Sequence, residues 1–276
     1  MTFAVFKAIR SCLLAFAICT SAFANDTTLR LGVVPQFDAR HIQAVWQPIL
    51  DYLELESGIH IELAGSPSIP AFEKQLMAGT FDLAYMNPYH LLKAHEAQRY
   101  QPLVRDTGRT LFGIIVVRKD SAIQRVQELD GKTVAFPAPN ALGASLIPRA
   151  VFSESYHISV IPKYVRSHSS AYLNVVTGQT DAGGGVERTF EEQPPAIRDA
   201  LRVIYTTPKV APHPVAVHPR VTEDVQNAIR EAFLMMAKTS QGRELLAKIP
   251  ATRMGRATLA DYTSLLQLGL DKYYVE

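Results

Sequence analysis

The sequence predicts an α/β protein of two lobes, and three observations carry that expectation. A short unit is written twice: Gly79-Thr80-Phe81-Asp82-Leu83-Ala84 recurs in outline as Gly178-Gln179-Thr180-Asp181-Ala182-Gly183. Each copy follows a helix-like stretch and runs into a short strand of small or apolar residues, which opens into a polar segment (85–90 in the first copy, 184–188 in the second). Residues 29–85 read β-α-β-α-β, the opening of a doubly wound parallel sheet. Apolar strands also stand where a chain that leaves one lobe, builds another and returns must cross. Two sheets joined by a two-strand hinge make a cleft that can shut on a small molecule.

Taken in order, Leu29-Arg30-Leu31-Gly32-Val33-Val34 is a buried strand ended by Pro35, and Asp38 can cap the helix that follows. In that helix Ile42, Val45, Trp46, Ile49, Leu50 and Leu53 form an amphipathic stripe that stops at Ser57-Gly58. Its place on the stripe assigns Trp46 to core packing rather than to a ligand. Residues 59–63 alternate as a strand, 66–70 form a loop, 71–78 a short helix and 81–85 the next strand. The strand 111–117 ends the first lobe, with the crossing placed after Val117. The second lobe opens with a helix around 121–129, a turn at Asp130-Gly131 and a strand over 133–136. A helix begins near 141–145 and runs past Pro148. Strands 201–205 and 211–217 cross back. The last long helix has Thr222 at its cap, Glu223 and Asp224 at the positive end of its dipole, and a stripe of Val225, Ile229, Phe233 and Met236. Met235 and Met236 are both assigned to packing. The expected division is 25–117 with 207–276 for the first lobe and 118–206 for the second.

Residues 1–24 read as a secretory signal peptide. Lys7 and Arg10 supply the basic start, a short apolar core follows, and Ala22-Phe23-Ala24 is the small-residue exit. Both cysteines, Cys12 and Cys19, fall inside that segment, so the rest of the chain uses neither a thiol nor a disulfide. An exported protein without disulfides fits a bacterial periplasm. The 28 basic and 26 acidic side chains balance once Lys7 and Arg10 are set aside. With no basic block, nucleic acid is excluded as a partner.

Particular stretches resemble the type II periplasmic solute-binding proteins, and within them the family that binds phosphonate, phosphite or phosphate for ABC importers. These are Leu31-Gly32-Val33-Val34-Pro35-Gln36, the run from Trp46 to Leu53, Phe81-Asp82-Leu83-Ala84-Tyr85, the run from Leu129 to Phe136, Ser167-His168, and Pro212-His213-Pro214-Val215-Ala216-Val217. The resemblance implies a type II binding-protein fold, a ligand held between the lobes, and an oxyanion met by a hydroxyl-rich turn at a helix N-terminus, where backbone N–H groups and the dipole favour negative charge. The matching segment here is Asn140-Ala141-Leu142-Gly143-Ala144-Ser145, with no hydroxyl at Ala141, Leu142 or Gly143. A donor to a charged oxygen contributes about 1.5–3 kcal/mol. Losing two would weaken anion binding by roughly two to four orders of magnitude. The expectation is a pocket retuned for a less charged or more apolar-bodied ligand.

Tyr85, Asn87 and Tyr89 follow a strand end, where open α/β sheets place ligands. The resemblance adds Gln36 and the turn residues Asn140, Ala144 and Ser145, and His168 matches the family's histidine; the alternative for His168 is an exposed residue beside a helix cap at Ser167 or Ser169. Glu187 stands after the glycine-rich strand end, facing either a ligand amine or Arg188. His213 lies between two prolines near the hinge, with pocket and structural roles both open. Gly183-Gly184-Gly185 permits close backbone approach. The histidines lack short metal-ligand spacing, so no metal and no cofactor is expected. No G-x-S-x-G, H-E-x-x-H, P-loop or cysteine nucleophile is present, so an enzyme is not expected. The expected partners of this monomer are a small-molecule ligand and the membrane permease of an ABC importer, or alternatively a sensor histidine kinase.

Overall fold

A computed structural model describes residues 28–249 and 251–275. The expected signal peptide, with both cysteines, lies outside the described residues. The chain runs β1 (Leu29–Val33), α1 (Ala39–Ser57), β2 (Ile61–Ala64), α2 (Ile69–Met77), β3 (Leu83–Tyr85), α3 (Pro88–Gln98), β4 (Gln101–Asp106), β5 (Gly113–Arg118) and β6 (Thr133–Phe136). Then come α4 (Ile147–Glu154), β7 (Ile161–Tyr164), α5 (His168–Val176), β8 (Ala182–Val186), α6 (Glu187–Glu191), α7 (Pro195–Arg198) and β9 (Leu201–Thr206). The chain closes with β10 (Pro214–Val217), α8 (Glu223–Met236), α9 (Ser240–Leu246), β11 (Met254–Arg256) and two 3₁₀ stretches, Leu259–Leu268 and Leu270–Tyr273.

The strands form two sheets, ordered β11-β4-β10-β3-β1-β2 and β7-β6-β8-β5-β9. In the first, β1 lies parallel between β2 and β3, and the returning β10 inserts antiparallel between β3 and β4. In the second, β6 is parallel to β7 and β8. The two copies of the repeated unit occupy equivalent places. Gly79 and Gly178 take left-handed backbone, with φ of +67° and +70°. Asp82 and Asp181 each accept from an N–H at the start of the neighbouring parallel strand, that of Arg30, second in β1, and that of Thr133, first in β6, at 2.9 Å.

The stripe of α1 packs as its period requires, with Trp46, Ile49, Leu50 and Leu53 buried. Asp38 accepts from His41 N at 3.0 Å, and Gly58 closes the helix in the left-handed conformation. Four expectations need correction. The strand of 111–117 does not close the first lobe: β5 belongs to the second sheet, antiparallel to β8 and β9, so the crossing falls before Gly113. Pairing partners, not the apolar run, decide which sheet a buried strand joins. The helix over 121–129 is only a 3₁₀ turn, Val126–Leu129. The helix expected from 141 begins as a π turn, Leu142–Leu146, and becomes α4 only at Ile147, with Pro148 in its first turn. Met235 is 38 % exposed whereas Met236 is buried, because adjacent helical residues point about 100° apart.

The crossings run through 107–112 and 207–213 and pair at one point, where Leu111 and Val210 exchange two hydrogen bonds of 2.9 Å. A second link is the C-terminal tail. Asp271 takes the Tyr89 hydroxyl at 2.7 Å and pairs with Lys93 at 3.0 Å on the first-sheet side. Tyr273 O accepts from Arg149, Tyr273 Oη reaches Glu154, and Val275 meets Asn140 on the other. The largest hydrophobic core therefore continues from the first sheet into the segment 138–150.

Candidate functional site

The tips of β1 and β3 and the start of α1 face the π turn and the tip of β8 across a cleft. Beyond Val33 the chain is fixed by Val34 N, which donates to Tyr85 O at 3.0 Å. The Tyr85 ring lies between Trp46 and His213, with centroids 4.9 and 5.3 Å away, the His213 contact stacked. These rings, with Phe37, His41 and Phe112, line an outer chamber that is open to solvent. Arg109, Glu187, Arg188, Glu192 and Lys248 stand around it.

The chamber continues into a narrow inner crevice under the π turn. Val34, Gln36, Leu111, Val186 and His213 line both spaces. Ala141, Leu142, Gly143 and Ala144 form the crevice wall. The N–H groups of Leu142, Gly143 and Ala144 belong to the first turn of a helix, where no preceding carbonyl receives them. His168 also lines the crevice. Its Nδ1 is 3.1 Å from the Thr189 hydroxyl, which leaves Nε2 for a ligand. Burial holds its imidazole neutral, with a pKa lowered to about 4. His213 is lowered further, to about 3, by burial and then by His90 and His168. Burial also raises the Tyr85 phenol above its ordinary value. Glu187 is raised by desolvation and by Glu191.

A family profile described as the phosphonate periplasmic substrate-binding protein of an ABC transporter matches residues 31–262. The chain belongs to this family. A phosphate-import protein PhnD of Mycolicibacterium smegmatis is 20% identical over 247 residues, covering 82% of this chain and 77% of that protein. A phosphonates-binding periplasmic protein of Escherichia coli is 19% identical over 240 residues, covering 82% and 71%. Among solved structures, PhnD1 of Prochlorococcus marinus in complex with methylphosphonate superposes with a TM-score of 0.80 at 14% identity, covering 91% of this chain and all of that one. The two-lobed α/β fold is that of the phosphonate-binding family.

Within this family member the ten residues singled out from sequence divide into two groups. Gln36, Tyr85, Asn87, Ala144, His168, Glu187 and His213 all line the chamber or the crevice. Tyr89, Asn140 and Ser145 do not. Tyr89 is buried against Asp271 and the Tyr274 ring. The Asn140 side chain donates to Glu73 and to Val275 O, and its carbonyl accepts from Asn87 Nδ2 at 3.2 Å, so it ties the second lobe to the first and to the tail. The Ser145 hydroxyl accepts from Arg149 Nε at 3.2 Å. Asn87 reaches the crevice while its Oδ1 caps α3 through Tyr89 N and His90 N. Ser167 caps α5 beside a buried His168, so the cap and the crevice position coexist. Arg188 pairs with Glu192 at 2.6 Å rather than with Glu187.

The residues missed are Trp46, Phe37, His41 and Arg188. Trp46 is buried as its stripe demands, yet the first turns of α1 begin at a strand tip, so the stripe faces the cleft there. The strand-tip rule applied to Tyr85 would have reached Phe37, in the loop that follows β1, and His41 in the first turn of α1. The triple glycine does not open space for a ligand. A methyl at Gly184 would overlap the Ala144 carbonyl oxygen, and one at Gly185 the Tyr172 hydroxyl.

Proposed function

We propose that this chain is the periplasmic solute-binding component of an ABC importer, a monomer that closes its lobes on a small oxyanion ligand and delivers it to a membrane permease. The first lobe is the sheet containing β1 with the C-terminal part from the second crossing. The second is the segment from β5 to β9. One observation carries the reading: the tips of both sheets meet at a continuous cleft, and the chain crosses between the lobes through two segments that pair only at Leu111 and Val210. Contacts to both walls at once exist only in the shut form, so a ligand that makes them shifts an open ensemble toward closure. The catalytic motifs sought in the sequence are absent, which supports binding without chemistry. The leader at 1–24 supports export.

Native mass spectrometry of protein purified gently from a periplasmic extract tests this. The expected result is one small molecule carried per chain, lost on unfolding and refolding, with a smaller radius of gyration in the loaded form. A loaded form with the same dimensions as the stripped one, or a ligand retained when Leu142→Trp fills the crevice, would overturn the reading.

A further inference from the structure

The polar groups of the inner crevice are few and uncharged. No lysine, arginine, aspartate or glutamate lines it. Its imidazoles, His168 and His213, are buried and neutral. The Asn87 amide is already committed at both ends, to the cap of α3 and to Asn140 O. The turn presents Ala141, Leu142, Gly143 and Ala144, whose side chains donate nothing. Available to an oxygen head are the backbone N–H groups of the turn, the Gln36 amide and His168 Nε2. Neutral donors of this kind can replace the water around one negative charge. A compact dianion loses far more hydration and needs more donors to replace it, and the turn here brings no hydroxyl to its backbone N–H groups.

The outer chamber supplies the opposite material. Trp46, Tyr85 and His213 form a row of rings along one wall, with Phe37 and Phe112 nearby. The Tyr85 residue is 9 % exposed, and among the described residues its hydroxyl has no hydrogen-bond partner. The charges at the rim, Arg109, Arg188 and Lys248 against Glu187 and Glu192, leave a single positive charge in excess, and Arg188 is held by Glu192.

Resting on the cleft reading above, we propose that the site takes a ligand with a planar apolar body and a single negative charge on a compact oxygen head. An aromatic carboxylate and a monoester of an aromatic phosphonate share that chemistry. The head meets the π turn and His168; the body lies along the Trp46–Tyr85–His213 row, with the Tyr85 hydroxyl donating to a polar substituent on it.

Calorimetry with four probes tests the class: benzoate, monomethyl phenylphosphonate, and phenylphosphonate and methylphosphonate, the last two at a pH above the second pKa of both. At least one of the two aryl monoanions should bind roughly tenfold or more tightly than either dianion, and the tighter of the two identifies the head. Trp46→Leu should weaken that probe by roughly tenfold, and Tyr85→Phe should leave the fold intact. A dianion that binds as tightly as the aryl monoanions would overturn the inference, and so would failure of all four probes. Either result leaves the mass-spectrometric test of the cleft untouched. Aryl-monoanion binding that is indifferent to Trp46→Leu, Tyr85→Phe and Leu142→Trp together would put the molecule outside the cleft and overturn both readings.

Discussion

The two lobes carry the same local unit and end it in different materials. In both, a left-handed glycine turns the chain out of a helix and an aspartate clasps the adjoining parallel strand. The first copy then delivers a ring, Tyr85, into the cleft, while the second runs through Gly183-Gly184-Gly185. Those glycines are required by the protein's own backbone. The π turn lies so close to β8 and β5 that a methyl at Gly184 or Gly113 would overlap the Ala144 or Gly143 carbonyl. At the repeated strand tips the first lobe thus offers a side chain and the second main chain, while the second lobe's cleft side chains, His168, Glu187 and Arg188, come from outside that tip. The lesson is that a strand tip without side chains brings a neighbouring helix N-terminus to the ligand instead.

The sharpest way to break this comparison is Gly184→Val. It should displace the π turn, destabilise the protein by about 3 kcal/mol and abolish ligand binding, as thermal unfolding and calorimetry would read. The matched change at the other tip, Ala84→Gly, should cost about 1 kcal/mol and leave binding measurable. Equal effects would remove the asymmetry.

Acid should separate the lobes next. His168 and His213 have folded pKa values of about 4 and about 3, below the ordinary 6.5, so between those limits the unfolded chain binds more protons. Stability is therefore full above about pH 6.5 and falls with pH by about 1.4 kcal/mol per unit for each histidine. The His168 contribution is exhausted near pH 4, whereas that of His213 continues toward pH 3. Urea titrations of His168→Gln and His213→Gln across this range should each show a shallower acid slope.

Asn140→Ala tests the tie between the lobes. It leaves Glu73 and the Val275 backbone short of partners and should cost about 1–3 kcal/mol, with a parallel loss of ligand affinity because the tie spans both lobes. A loss of stability with affinity unchanged would mean that the tail serves one lobe alone. The smallest effect is expected at the repeated aspartates. Asp181→Asn should cost about 1 kcal/mol. Asp82→Asn should cost somewhat more, since Asp82 also holds Arg220 at 2.6 Å. Chemical denaturation of the two variants would show whether the copies are energetically equivalent.

Much of this was legible in one sequence. The repeat, the β-α-β-α-β opening and the stripe of α1 specify local conformation and a buried face, because those depend on residues only a few positions apart. The strand-tip rule found Tyr85 and Asn87 at the cleft, and the family resemblance added Gln36, Ala144 and His168. What periodicity reports is that a face is covered. It does not report what covers it.

Tertiary structure decided the rest. It put β5 in the second sheet, because an apolar strand pairs with whichever neighbour the topology brings alongside. It drew Tyr89 and Asn140 away from the cleft through partners far along the chain, Asp271 for the tyrosine and Val275 for the asparagine. It also gave Trp46, which packs in the core as its stripe requires, a second role at the edge of the cleft. The sequence determined which groups must be buried and which local turns are possible. Only the packing of distant segments determined what each buried group meets, because that choice is made by contacts that no local spacing encodes.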